Sequence, residues 1–138
     1  MRPIALFVIF VGLGSLSCQT YQTGLQQGAT RVDDTAAVAT LRSIGVAQRM
    51  YSLANGGQYA TLEELVQGGY LDQSLQSSKD YNLRVVVKPA SSGEDAFFSC
   101  NADPVGNNTG RHFYIDSTSN QIHVNPNQSA SARDDVLQ

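Results

Sequence analysis

At Tyr81 the hydrophobic pattern of this chain changes period, and that change limits the fold more than any other feature. Upstream, from Thr35 to about Ala54, the pattern is helical. At about 100° per residue, Leu41, Ile44, Val46, Ala47, Met50, Tyr51 and Leu53 spread over a wide arc. Arg42 and Arg49 mark a narrow solvent stripe, so this helix is expected to be a spine gripped on most sides. Downstream, Tyr81, Leu83, Val85 and Val87 alternate with Asn82, Arg84, Val86 and Lys88, as in a strand with one buried face. A second strand, Asp95 to Ala102, alternates Ala96, Phe98, Cys100 and Ala102 against Phe97, Ser99 and Asn101. A third and fourth, His112 to Asp116 and Gln121 to Val124, flank the turn Ser117-Thr118-Ser119-Asn120. A long helix feeding short antiparallel strands implies an α+β domain, with its helices packed on a roughly four-stranded sheet.

Turn and cap chemistry divides the rest. Asp33 and Asp34 sit where a helix start wants caps and acidic charge. Asn55-Gly56-Gly57 closes the helix. Thr61-Leu62-Glu63-Glu64 has the capping-box spacing, opening a short second helix that stops at Gly68-Gly69, and Asp72 to Leu75 has room for one further turn. Pro89 to Glu94, Asp103-Pro104 and the Gly/Asn-rich stretch from Val105 to Gly110 read as turns. Residues 33–125 are thus the expected domain. A polar 18–32, rich in Gln, Thr and Gly, reads as a flexible tether, and 126–138 as a flexible, frayed tail.

The first eighteen residues carry a different message. Arg2, an apolar run from Ile4 to Leu13 and Ser15-Leu16-Ser17-Cys18 have the layout of a secretory signal, giving a signal peptide over 1–17. An apolar helix of that length covers about 15 Å, roughly half a bilayer core. The junction resembles the lipobox of bacterial lipoproteins, with Ser15 where that pattern prefers Leu and Leu16 one step later. The resemblance implies lipidation at Cys18, and Gln19 after it implies outer-membrane sorting, the protein facing the periplasm or the cell surface. Each buried methylene contributes roughly 0.8 kcal/mol, and two or more chains anchor stably. Ser15 and Ser17 also satisfy a small-x-small rule, so an ordinary cut releasing a secreted or periplasmic chain is the alternative.

Without Arg2, eight basic residues face twelve acidic ones, a formal charge of −4 with no basic stripe, which argues against nucleic-acid partners. The two cysteines are Cys18 and Cys100. With Cys18 acylated, Cys100 is an unpaired thiol; otherwise the two have the option of a disulfide in an oxidising compartment. Strand phase turns Phe113, Ile115, Ile122 and Val124 inward and His112, Tyr114, Asp116, Gln121 and His123 outward. Cys100 then faces the core and both histidines face solvent, which separates the parts of a Cys–His dyad. His112 and His123 become diagonal neighbours, about 7–8 Å apart, too few ligands for zinc. Phe97 and Tyr114, with the two histidines, form a candidate surface patch. Glu63 and Glu64 are helix-start residues. No catalytic residue, metal or cofactor is assigned.

In order along the chain, Ala37-Val38-Ala39-Thr40-Leu41-Arg42, Ala47-Gln48, Tyr51, Gly57-Gln58-Tyr59, Thr61 to Leu65, Gly69-Tyr70-Leu71-Asp72, Asp103-Pro104 and Phe113 to Asp116 resemble the globular domain of type IV pilins and type II secretion pseudopilins. The resemblance runs from about Asp33 to Val124. It implies a pilin-like fold and a non-enzymatic structural or interaction role, with pilus or secretion-system proteins as partners and the membrane reached through the lipid. Prepilins carry a long apolar stalk with an early Glu. Here the segment after Gly14 is polar and the first Glu is Glu63, so incorporation into a filament through a stalk is not expected. Major pseudopilins bind calcium near the C-terminus, but the spacing of Asp116, Asp134 and Asp135 matches no calcium motif. The alternative from another class is a periplasmic or surface ligand-binding module on the same fold, its pocket lined by Phe97, Tyr114 and the histidines.

Overall fold

The computed structural model describes the backbone of residues 19–106 and 110–138, and side chains from Asp34 onward. The signal-peptide segment, Cys18 and positions 107–109 lie outside the described residues. The chain is α+β. A long helix α1 (Gln19–Ala54), a short helix α2 (Leu62–Gln67) and one 3-10 turn (Gln73–Leu75) precede five strands. These are β1 (Tyr81–Lys88), β2 (Phe97–Pro104), β3 (His112–Asp116), β4 (His123–Asn125) and β5 (Asp135–Val136), one antiparallel sheet in chain order. Among the described residues, no helix is long and apolar enough to cross a membrane.

The helix start differs from expectation. Asp33 and Asp34 do not cap α1, because the helix already begins at Gln19 and includes the stretch read as a flexible tether. That stretch lacks proline, so its two glycines cost only about 1 kcal/mol each against propagation. The other end ends as its sequence asks, with Gly56 and Gly57 at φ 62° and 85°, where an L side chain is strained. At α2 the capping box is complete: Thr61 Oγ1 accepts from Glu64 N–H, and Glu64 Oε2 accepts from Thr61 N–H at 2.8 Å. Asp72 caps the 3-10 turn through Ser74 N–H and Oγ, and the side-chain bond from Ser74 holds its carboxyl below the ordinary value.

The core lies between α1 and the inner face of β1, β2 and β3. Leu41, Ile44 and Ala47 from the helix meet Phe98, Cys100, Ala102, Phe113 and Ile115 from the sheet. Each large side chain buried here contributes about 1.5–3 kcal/mol. Gly45 lets the helix approach β3, since a Cβ there would stand 3.0 Å from Ile115 Cδ1. Tyr59 closes one end against Phe98, ring centroids 5.0 Å apart. Gln48 is fully buried and neutralises a loop: its Nε2 donates to Ala60 O at 2.6 Å, and its Oε1 accepts from Ala60 N–H at 2.9 Å.

Two expectations about exposure fail. The helix is gripped on one side, not most: Val46, Met50 and Leu53 are 56%, 54% and 83% exposed. One sheet covers only one flank of a cylinder, and the described chain supplies no second layer. The C-terminal residues are not frayed. They turn back so that β5 pairs with β4, Leu137 N–H donates to Ile122 O, and Ala130 is buried. This accounts for a fifth strand where four were expected.

Candidate functional site

The strand register fixes where the sequence-chosen residues meet. Tyr114 pairs with His123, His112 pairs with Asn125, and Asn101 lies across from Tyr114 on the other side. His112, Tyr114 and His123 therefore share the outer face of the sheet. Phe97 does not join them. It stands four residues along β2 from Asn101, about 13 Å away along the strand, where Lys88 Nζ lies 6.0 Å from its ring centroid. The four residues chosen as a patch thus form a three-residue group and a separate aromatic.

The outer face is also less open than alternation implied, because the C-terminal segment lies across it. Asn101 Nδ2 donates to Ala130 O at 2.7 Å and to Ser129 Oγ, and Ser129 Oγ donates to Asp103 Oδ2. His123 Nδ1 is 2.8 Å from Asp134 O. A carbonyl oxygen only accepts, so that nitrogen carries a proton and donates. His112 Nδ1 lies 2.7 Å from Asp103 Oδ1. Each histidine is therefore tied to its own acceptor, and His123 and Asp116 are buried although both were expected outward. Asp116 spends its oxygens locally, accepting from Thr118 and Ser119 N–H in the turn and from Tyr114 Oη at 3.0 Å. Burial, with the neighbouring Asp116 carboxylate, pushes the Tyr114 phenol up to about 12, so Tyr114 is a neutral donor. Among the described residues, no group of three His, Cys, Asp or Glu is placed to hold a metal.

Cys100 faces the core as its phase requires and is a free thiol. Burial pushes it up to about 12, helped by the Asp103 charge and opposed by a backbone N–H contact from Arg84. A neutral thiol in that setting is a packing group.

Three cavities lie elsewhere, on the exposed flank of α1. One of about 440 Å³ opens between Val38, Arg42 and Arg111, with Asp34 and Leu137 in its lining. A second, about 230 Å³, shares Arg42 and continues past Val46 and Arg49 to Ile115. A third, about 140 Å³, shares Gly45, Arg49 and Asn120 and ends at Leu53. The shared residues make them one groove, bounded by α1 on one side and β3 with its following turn on the other. At its upper end Asp34, 6% exposed, accepts from Tyr81 Oη at 2.7 Å and from Arg111 Nε at 2.8 Å. Arg111 also stacks over Phe113, 5.5 Å from the ring centroid. Among the described residues Asp34 is the one carboxylate in its lining, and with that carboxylate so engaged the groove keeps the cationic walls of Arg42 and Arg49.

The sequence marked Arg42 and Arg49 as a solvent stripe but not the groove beside them. One signal was present: Asp34 stands on the same helical stripe as Ala37, Leu41 and Ile44, and a polar residue on a buried stripe needs built partners. Its partners, Tyr81 and Arg111, lie far away in sequence and carry no local mark.

No protein-family model matches the chain, and comparisons with curated proteins and with solved structures gave no match.

Proposed function

We propose that this protein is an exported, lipid-anchored component of a bacterial cell envelope. In this reading its pilin-like head has a structural or interaction role beside a type IV pilus or type II secretion apparatus. The observation that carries the proposal is the leader: one charge, an apolar run too short to span a bilayer, small residues and Cys18. Its support from the fold is coarser. A long helix before an antiparallel meander is the arrangement such a head requires, and a helix left exposed along one side suits a protein that docks. The proposal assigns no residue to catalysis.

The anchor is tested by growing cells with a clickable fatty acid and comparing the natural chain with Cys18→Ala. Label on the natural chain alone supports the reading. Equal absence of label from both overturns the anchor and leaves export by an ordinary signal cut. Cross-linking in cells, followed by identification of pilus or secretion proteins on the natural chain, tests the association.

A further inference from the structure

We infer that the groove along α1 is a docking site for an acidic amphipathic helix of a partner protein. Ala39, Val46 and Leu53 recur every seven residues, and Arg42 and Arg49 fall three positions after the first two. In heptad terms the apolar residues hold one seam position and the arginines the other. All five are exposed, and all five line the cavities just described. From Ala39 to Leu53 the seam is about 21 Å long, close to four helical turns. Met50, 54% exposed, widens its apolar side.

The charges choose the occupant. From Thr35 to Ala54 there is no Asp or Glu, and Asp34 is engaged by Tyr81 and Arg111. A second copy offering the same face in parallel sets Arg42 and Arg49 against their own counterparts. In antiparallel order it sets them against Val46 and Leu53, desolvating a guanidinium without a carboxylate. The chain's first seventeen residues bring only Arg2 as a charge. A helix with leucine-type residues at one seam position and Glu or Asp at the other satisfies both needs: it covers the apolar stripe and meets each arginine with a carboxylate. The inference rests on the interaction role proposed above and not on the anchor.

The test titrates the purified full chain with two synthetic helical peptides about three heptads long, identical except for Glu or Lys at the second seam position. The expected result is saturable binding of the Glu peptide with shifts at the Val46, Met50 and Leu53 methyl resonances, and binding of the Lys peptide weaker by about tenfold or more. The double variant Arg42→Glu, Arg49→Glu should reverse that preference while its amide spectrum stays folded. Leu53→Asp, at an open position, should weaken both versions. Equal affinity for the two peptides, indifference to the arginine reversal, or shifts confined to another surface overturns the inference. So does self-association of the chain that Leu53→Asp abolishes, since a second copy would then be the occupant. Failed fatty-acid labelling with a charge-selective peptide response removes the anchor and leaves the groove.

Discussion

At the residue scale, two polar side chains hold together parts of the chain that hydrophobic contact alone leaves loose. Gln48 answers both backbone groups of buried Ala60 with one amide. Gln48→Ala removes that amide and leaves the carbonyl and N–H without partners, each worth about 1–3 kcal/mol when buried. The expected loss is about 2–4 kcal/mol in urea unfolding, and a loss under about 0.5 kcal/mol would show that the loop relaxes to water. Cys100 makes the opposite point, a reactive residue type placed where it is inert. With its thiol pushed up to about 12, Cys100 in a Cys18→Ala chain should resist a disulfide reagent at neutral pH and react fully only in denaturant. Rapid reaction of the folded chain would place the thiol at the surface. Neither role is a matter of residue type: Gln48 was readable as polar and Cys100 as core-facing, but only the fold names Ala60 as the partner.

At the element scale, the alternating patterns of β1 and β2 placed the right residues inside. Leu83, Val85 and Val87 pair with Ala102, Cys100 and Phe98 on the buried face. Local signals also sufficed for the capping box of α2 and for the Tyr114–His123 pairing across a short turn. They failed for β5, a two-residue strand in a polar segment with no alternation to detect. It is held by Asp134, whose oxygens accept from Asn125 Nδ2 and from Ser131 N–H and Oγ. The Asn125 bond, then those from Ser131, keep its carboxyl below the ordinary 3.8. A depressed carboxyl stabilises fully above its unfolded-chain value, and that contribution is lost as pH falls through the lower native value. Amide protection at Ser131 and Leu137 should therefore stay constant from neutral pH to about pH 5 and collapse only below the ordinary carboxylate range. Asp134→Asn should loosen the segment at neutral pH as well. Protection that fades between about pH 7 and 5 would point to a histidine instead.

At the scale of the whole molecule, one sheet packs against one side of one long helix, and the consequence is a helix with an open flank. The pattern of α1 was apolar over a wide arc, which suggested a buried spine. Periodicity reports how much apolar surface a helix carries, not how many neighbours the fold supplies to cover it. That difference created the exposed stripe of Val46, Met50 and Leu53 and the groove beside it. Arg42 and Arg49 were visible as a solvent stripe. That Arg42 walls a cavity with Arg111, the residue before β3, depends on a contact across most of the chain. The sequence by itself determined the class of the fold, the phases of the paired strands and the capping box of α2, because each is written in spacings of a few residues. The tertiary structure alone decided that the tail covers the outer face, that Phe97 stands apart from Tyr114 and the histidines, and that one flank of α1 stays open. These depend on which distant surfaces meet, and burial there is set by neighbours that no local pattern encodes.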